Sequence, residues 1–180
     1  MTTNECIRGR RSIRKFTDQP VSAELIRQIV ETASFAPSWK NTQVTRYIAV
    51  SGSMKAKIAA ECTSIYGGNA PIINGAPTVI VQTVLKNRSG YERDGSFSTS
   101  KEKGWQMYDA GIAAEAFCLA AYEQGIGSVV LGLFDYEKVA SLLNIDESQE
   151  VVALIPIGYP TEQPVCPKRK TVDDLLTFQS

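Results

Sequence analysis

Apolar and polar positions alternate along the chain with periods that switch between helix and strand. A short helix is predicted over the first residues, ending near Gly9. Asp18, Gln19 and Pro20 mark a turn, and Ser22 is a good N-cap for a helix that carries Leu25, Ile26, Ile29, Val30 and Ala33 on one face. Pro37 is expected to stop that helix. Residues 44–51 read as a strand, and Ser53 is expected to cap a further helix with Met54, Ile58, Cys62 and Ile65 on its buried side. Thr78–Leu85 is a nearly continuous run rich in β-branched residues, the pattern of a central strand covered on both faces.

Residues 105–124 are predicted to form a long helix with Ala110, Gly111, Ala113, Ala114, Ala116, Ala120 and Ala121 distributed around it. A helix without a polar face is buried, often against a partner subunit. Gly125 follows as its C-cap. A short strand over residues 128–131, a turn at Gly132, a helix capped by Asp135 and reaching Leu143, and a central strand over residues 151–157 complete the regular elements. Residues 86–104 are rich in polar residues and glycine and lack periodicity, so they are expected to form a lid or a mobile loop. After Pro160 the chain is polar, then ends on Val172, Leu175, Leu176 and Phe178. Residues 161–180 therefore read as an arm whose apolar end docks on a neighbouring subunit. Helices and strands intermix without strict βαβ alternation, which predicts one α+β domain over residues 1–180, with a mixed or antiparallel sheet flanked by helices.

Composition narrows the function. The 180 residues are 43% apolar and carry a formal net charge of zero, so no whole-molecule field draws the chain to nucleic acid. No apolar leader and no membrane-length segment is visible, and a cytoplasmic protein is expected. Cys6, Cys62, Cys118 and Cys166 form no CxxC pair, so no metal site is expected and buried, reduced thiols are the preferred reading. Histidine is absent, which removes Ser-His and Cys-His nucleophilic catalysis and imidazole metal sites. A cofactor that carries the reaction itself fits that restriction.

The positive charge is local. Arg10, Arg11 and Arg14 stand with Ser12 within five residues, equipment for gripping a phosphate with charge-assisted hydrogen bonds. Arg10, Ser12 and Arg14 alternate, so an extended backbone would point them the same way. The segment Pro37-Ser38-Trp39-Lys40-Asn41-Thr42-Gln43 offers amides and hydroxyls to the edge of a flat heterocycle or to a ribityl chain. Asp109 and Glu115 lie in the apolar helix, where pairing with a cation or capping a neighbouring helix is the expected role. Trp39 and Trp105 are expected to pack in the core or at an interface rather than stack on a substrate.

These motifs resemble the FMN-dependent nitroreductase family over nearly the whole chain. The resemblance is carried by Arg10-Arg11-Ser12-Ile13-Arg14, by Ala36-Pro37-Ser38 with Asn41 and Gln43, by Gly125-Ile126-Gly127-Ser128 leading to Leu131-Gly132, and by residues 155–160 with Pro167-Lys168-Arg169-Lys170. It implies a domain-swapped α+β homodimer with two FMN sites at the subunit interface and tails wrapped around the partner. By position, Arg10, Arg11 and Ser12 would bind the phosphate and ribityl chain, joined by Lys168 or Arg169. Arg14 would lie at the N1–C2=O edge of the flavin, a candidate catalytic group supporting negative charge there. Pro37, Ser38, Asn41 and Gln43 would come from the second subunit, and Val130, Leu131 and Gly132 would line the flavin with backbone groups. The implied activity passes hydride from NADH or NADPH through flavin N5 to nitroaromatics, quinones or similar acceptors in ping-pong fashion. Dehalogenation or enone reduction on the same scaffold, and a flavin-binding or redox-sensing module without turnover, are the alternatives. The chain departs from the family pattern at Trp39-Lys40 and at Val44-Thr45, on the substrate face.

Overall fold

The computed structural model describes residues 1–63 and 67–179. It runs α1 (Thr3–Gly9), α2 (Ala23–Ala33), a 3-10 turn (Trp39–Asn41), β1 (Thr45–Val50), α3 (Gly52–Cys62), α4 (Asn69–Gly75), β2 (Thr78–Leu85), α5 (Gly104–Glu123), β3 (Gly127–Ser128), α6 (Tyr136–Leu142) and β4 (Gln149–Gly158). The strands pair antiparallel in the order β1-β2-β4-β3, with helices on both faces. The α+β expectation therefore holds, with the sheet antiparallel rather than mixed.

Alternation along β2 explains the two-faced core. Ile80 joins Ile29, Phe117, Ala121 and Ile155 under α2 and α5. Its neighbours Val79 and Val81 point the other way and pack with Ile58, Ile73, Phe134 and Leu154 under α3, α4 and α6. Full burial of such a side chain contributes about 1.5–3 kcal/mol, so both sheet faces are strongly held. α5 is buried along much of its length, yet Met107 and Tyr108 stay exposed.

Local chemistry sets the ends of the elements. Thr2 and Glu5 form a reciprocal capping box on α1. The Ser22 hydroxyl accepts from the Leu25 amide at 3.1 Å, as predicted, and Asp135 caps α6 by accepting from the Lys138 amide.

The structure corrects several expectations. α2 ends at Ala33, ahead of Pro37, because Ser34 closes it with its amide and hydroxyl on upstream carbonyls. Ser53 lies inside α3 rather than capping it; Ser51 holds the cap position and makes no side-chain cap bond. Ile65 falls outside the described residues. No element was expected over residues 69–75, where α4 forms with Pro71 in its first turn, a position that tolerates proline. The strand expected over residues 128–131 is interrupted: β3 ends at Ser128, and Leu131 rejoins the sheet by a separate bridge to Leu154. Among the cysteines Cys62 and Cys118 are buried and Cys6 partly so, but Cys166 is exposed on the arm; all four are free.

Candidate functional site

The N-terminal basic run leaves α1 as extended chain and crosses β3. The Ile13 amide donates to the Ser128 carbonyl at 3.0 Å, and Ser12 bridges Ser128 in parallel register. Ile13 is buried. Its neighbours Ser12 and Arg14 turn outward and line a cavity of about 360 Å³ with Arg10, Arg11, Pro164, Val165, Pro167 and Arg169. The cavity thus gathers four guanidinium groups from two segments more than 150 residues apart, since Arg14 and Arg169 are separated by 155 positions. Arg10 Nε is buried and has no hydrogen-bond partner among the described residues, although it lies 3.8 Å from Glu115 Oε1. An orphaned guanidinium donor beside three other arginines fits an anionic ligand such as a phosphate. Arg11 instead spends one nitrogen on the carbonyls of Arg8 and Arg10. Lys168 lies outside this cavity, beside Arg169, Lys170 and Asp174 on the adjoining surface.

The polar segment after α2 forms a second, separate feature. Pro37, Ser38 and Gln43 line a groove of about 350 Å³ between α2, β1 and α5, with Val30, Tyr47, Asp109 and Ala113 among its walls. Asn41 is not in the groove; its Oδ1 accepts from Gln43 Nε2 at 3.1 Å. The backbone here is unusual. Lys40, Asn41 and Gln43 have φ of 46°, 55° and 47°, a left-handed region that non-glycine residues avoid. Ser38 Oγ accepts from the Gln43 amide at 2.9 Å and closes the loop on itself. On a single chain the arginine cavity and the Ser38–Gln43 groove share no lining residue.

Residues 86–104 do not lie apart from the fold. Tyr91 and Phe97 form a bridge that folds the segment back on itself. Gly90, at φ 83°, lets the chain pass so close that a Cβ there would stand 2.6 Å from the Glu102 carbonyl oxygen. The segment is fastened to the polar loop. Lys40 Nζ reaches Glu92 at 2.9 Å, and the rings of Trp39 and Trp105 lie 4.6 Å apart, centroid to centroid. Hydrogen bonds from Ser98, and then Lys40, hold the Glu92 carboxyl below its usual range. The tryptophans thus pack on each other, half-buried and outside the core clusters.

Asp109 and Glu115 take the structural roles predicted for them. Glu115 pairs with Arg10. Asp109 is buried and accepts the Trp39 amide at 3.1 and 3.0 Å and the Ser89 hydroxyl at 2.6 Å. That the same carboxylate would hold Ser89, and that Lys40 would find Glu92, was not visible in the sequence. The available signal was an acid in an otherwise apolar helix.

After β3 the chain kinks outward. Val130 is half exposed and Gly132 is exposed. Leu131 turns inward, with its amide on the Leu154 carbonyl at 2.8 Å and its carbonyl accepting from the Leu154 amide at 3.1 Å. The expectation that Leu131 offers backbone groups to a ligand is therefore corrected: both are spent on the sheet. The amides of Val130 and Gly132 carry no hydrogen bond among the described residues. The Gly132 carbonyl accepts from the Tyr136 hydroxyl at 2.6 Å, which holds the Gly132–Leu133 peptide in place.

No helix of the described residues is long and apolar enough to cross a membrane. Among them no group of three or more Cys, Asp or Glu side chains could hold a metal ion.

Comparison with known proteins places these features in context. The profile of the nitroreductase family matches residues 7–159. A Methanothermobacter thermautotrophicus protein provisionally named an NADH dehydrogenase/NAD(P)H nitroreductase is 30% identical over 168 residues, spanning 91% of this chain and 80% of its own. A Desulfovibrio desulfuricans protein solved in complex with FMN is 27% identical, with a TM-score of 0.77 over 98% of this chain and 96% of its own. The nitroreductase family protein of Streptococcus pneumoniae superposes with a TM-score of 0.86 over 99% of this chain and 100% of its own, at 24% identity.

Proposed function

The chain belongs to the nitroreductase family, an oxidoreductase family, and from that premise we propose that it binds FMN between two copies of itself and passes electrons from NADH or NADPH to small, flat, electron-poor acceptors such as nitroaromatics or quinones. The observation that carries this reading is the arginine cavity with the unpartnered Arg10 Nε. The FMN complex of the Desulfovibrio desulfuricans relative supports it.

Bound FMN would supply a two-electron carrier, accepting hydride at N5 and returning it to the second substrate. The chain's residues do the rest. Arg10, Arg11, Ser12 and Arg169 hold the phosphate end. Lys168 adds positive field from the adjoining surface without entering the cavity. Arg14, on the wall of the same cavity, would support negative charge at the N1–C2=O edge, a pre-organised electrostatic role. Val130 and Gly132 would present their free amides to the flavin, and the Leu131 carbonyl, accepting from the Leu154 amide, fixes the peptide that carries the Gly132 amide. No histidine or nucleophile is required, and protons come from water. An acceptor would need only a flat, electron-poor shape, which favours a broad range.

Pro37, Ser38, Asn41 and Gln43 complete the site from the second subunit. Their separation from the arginine cavity on one chain supports this arrangement. The arm supports it too: Leu175 and Phe178 are 72% and 89% exposed, apolar side chains left to solvent on a single chain. β1 is an edge strand beside the groove, an open edge that the arm of a second copy would cover.

The test is the visible spectrum of the purified protein, followed by heat release of any chromophore and by anaerobic mixing with NADH or NADPH. A yellow protein that releases one FMN per subunit, bleaches with nicotinamide and recolours with a quinone or nitroaromatic supports the reading. A flavin that nicotinamide fails to bleach points to a binding or sensing module. A colourless protein that takes up no added FMN sinks the cofactor reading.

A further inference from the structure

We infer that Asp109 is a positioning residue for the flavin site: its buried carboxylate holds the Trp39 amide and the Ser89 hydroxyl together, so that the Ser38–Gln43 loop and residues 86–104 form one clasp. The inference rests on the reading that this loop faces the cofactor of the second subunit.

The geometry requires an explanation. Asp109 is 3% exposed and makes no ion pair among the described residues. A carboxylate in that position must be compensated by hydrogen bonds. It receives them from two segments far apart in sequence, the Trp39 amide to both oxygens and Ser89 Oγ to one. Trp39 opens the 3-10 turn, so the carboxylate caps that turn as an acidic N-cap would, although it comes from another helix. Immediately downstream stand the three left-handed residues Lys40, Asn41 and Gln43. Such conformations persist only when their surroundings over-determine them. Asp109 fixes one end of the strained stretch, and the Ser38–Gln43 hydrogen bond closes the other.

The second tie gives residues 86–104 their role. Ser89 is fully buried on Asp109, Glu92 takes Lys40, and Trp105 packs on Trp39. Glu92 joins this segment to the loop directly, Ser89 reaches it through Asp109, and Thr99 accepts from the Trp105 indole that packs on Trp39. Residues 86–104 are then a brace for the cofactor loop rather than a free lid, and Trp39 and Lys40, two of the positions that depart from the family pattern, are its attachment points. Asp109 acts through the loop and touches no reacting atom.

The experiment compares the full-length protein with Asp109→Ala, Asp109→Asn and Ser89→Ala. Amide hydrogen exchange is measured without FMN, and FMN affinity is measured by quenching of flavin fluorescence. Asp109→Ala is expected to raise exchange in residues 37–43 and 86–92 together, and to weaken FMN binding by about 10–100-fold, the scale of one or two lost charge-assisted hydrogen bonds. Asp109→Asn keeps an acceptor and should recover part of the loss. Ser89→Ala should loosen both segments to a smaller degree, which a role confined to helix stability would not produce. Unchanged exchange in residues 37–43 and unchanged FMN affinity in Asp109→Ala, with only a lower melting temperature, would overturn the inference. If that variant does not fold, wild-type exchange and affinity in both Asp109→Asn and Ser89→Ala overturn it equally. An unmodified protein that takes up no FMN refutes the flavin reading instead, and the exchange measurement still reports whether Asp109 binds the two segments together.

Discussion

Ile13 rests directly on Gly127: a Cβ built on the glycine would stand 2.8 Å from Ile13 Cγ1 and 2.9 Å from its Cβ. The contact is too close for any side chain at position 127, and Ile13 is buried with little room to withdraw. Because Ser12 and Arg14 flank Ile13, this packing sets the depth at which the basic run crosses β3. Gly127→Ala is expected to push Ile13 outward and to destabilise the fold by about 1–3 kcal/mol, the range for overpacking a core. Displacement of Ser12 and Arg14 should weaken FMN binding as well. A thermal melt and a flavin titration check both parts; an unchanged FMN affinity would show that the basic run is not held by this contact.

Arg10→Ala should lower FMN affinity by about 10–100-fold, because a hydrogen bond to a charged group contributes about 1.5–3 kcal/mol. The half-exposed ion pair with Glu115 adds little, about 0–1 kcal/mol. Arg169→Ala should act in the same direction, and Lys168→Ala much less, since Lys168 lies outside the cavity. Titration of the three apoproteins with FMN and with riboflavin separates phosphate recognition from flavin recognition. Equal losses for both ligands would place Arg10 away from the phosphate.

Arg14→Ala is expected to keep FMN but to slow its reduction by NADH or NADPH by about 100-fold, the scale of one lost electrostatic stabiliser. Stopped-flow bleaching of the bound flavin gives the rate. An unchanged rate would remove Arg14 from the chemistry and leave it as a binding group.

Tyr47 gives the protein an alkaline limit. Burial, and then the nearby Cys118 thiol, push the phenol up to about 12, and its hydroxyl donates to the Ala113 carbonyl at 3.2 Å. The phenol ionises more readily in the unfolded chain, near 10. Its contribution is therefore complete below pH 10 and is lost as pH rises from 10 towards 12. Burial raises the Cys118 thiol as well, so part of the loss begins at lower pH. Urea midpoints at pH 8, 10 and 11 should fall in the unmodified protein, and Tyr47→Phe should flatten the decline above pH 10. An equally steep decline in the variant would assign the alkaline limit to other groups.

Legibility from sequence followed the range of the interactions involved. Ser22 and Asp135 were readable as caps because capping needs only three neighbouring residues. Thr78–Leu85 was readable as a central strand because a strand buried on both faces leaves a continuous apolar run. Ser53 misled because Ser51 and Gly52 offer a competing start that local composition does not rank. α4 escaped because seven residues with a proline carry too little periodicity to signal a helix.

By itself, then, the sequence determined the α+β class, most of the elements, the basic run around Ser12 and the absence of histidine chemistry. Each of these is a matter of residue type or short-range spacing. Only the tertiary structure decided that Arg169 rather than Lys168 meets Arg10 across the chain, that Leu131 spends its backbone on Leu154 while Val130 and Gly132 do not, and that Asp109 receives both Trp39 and Ser89. Those pairings join segments separated by 20 to 159 positions, as the Ser89–Asp109 and Arg10–Arg169 intervals show. They exist because a buried polar group must find partners wherever the packed core brings them, and local pattern carries no record of where that is.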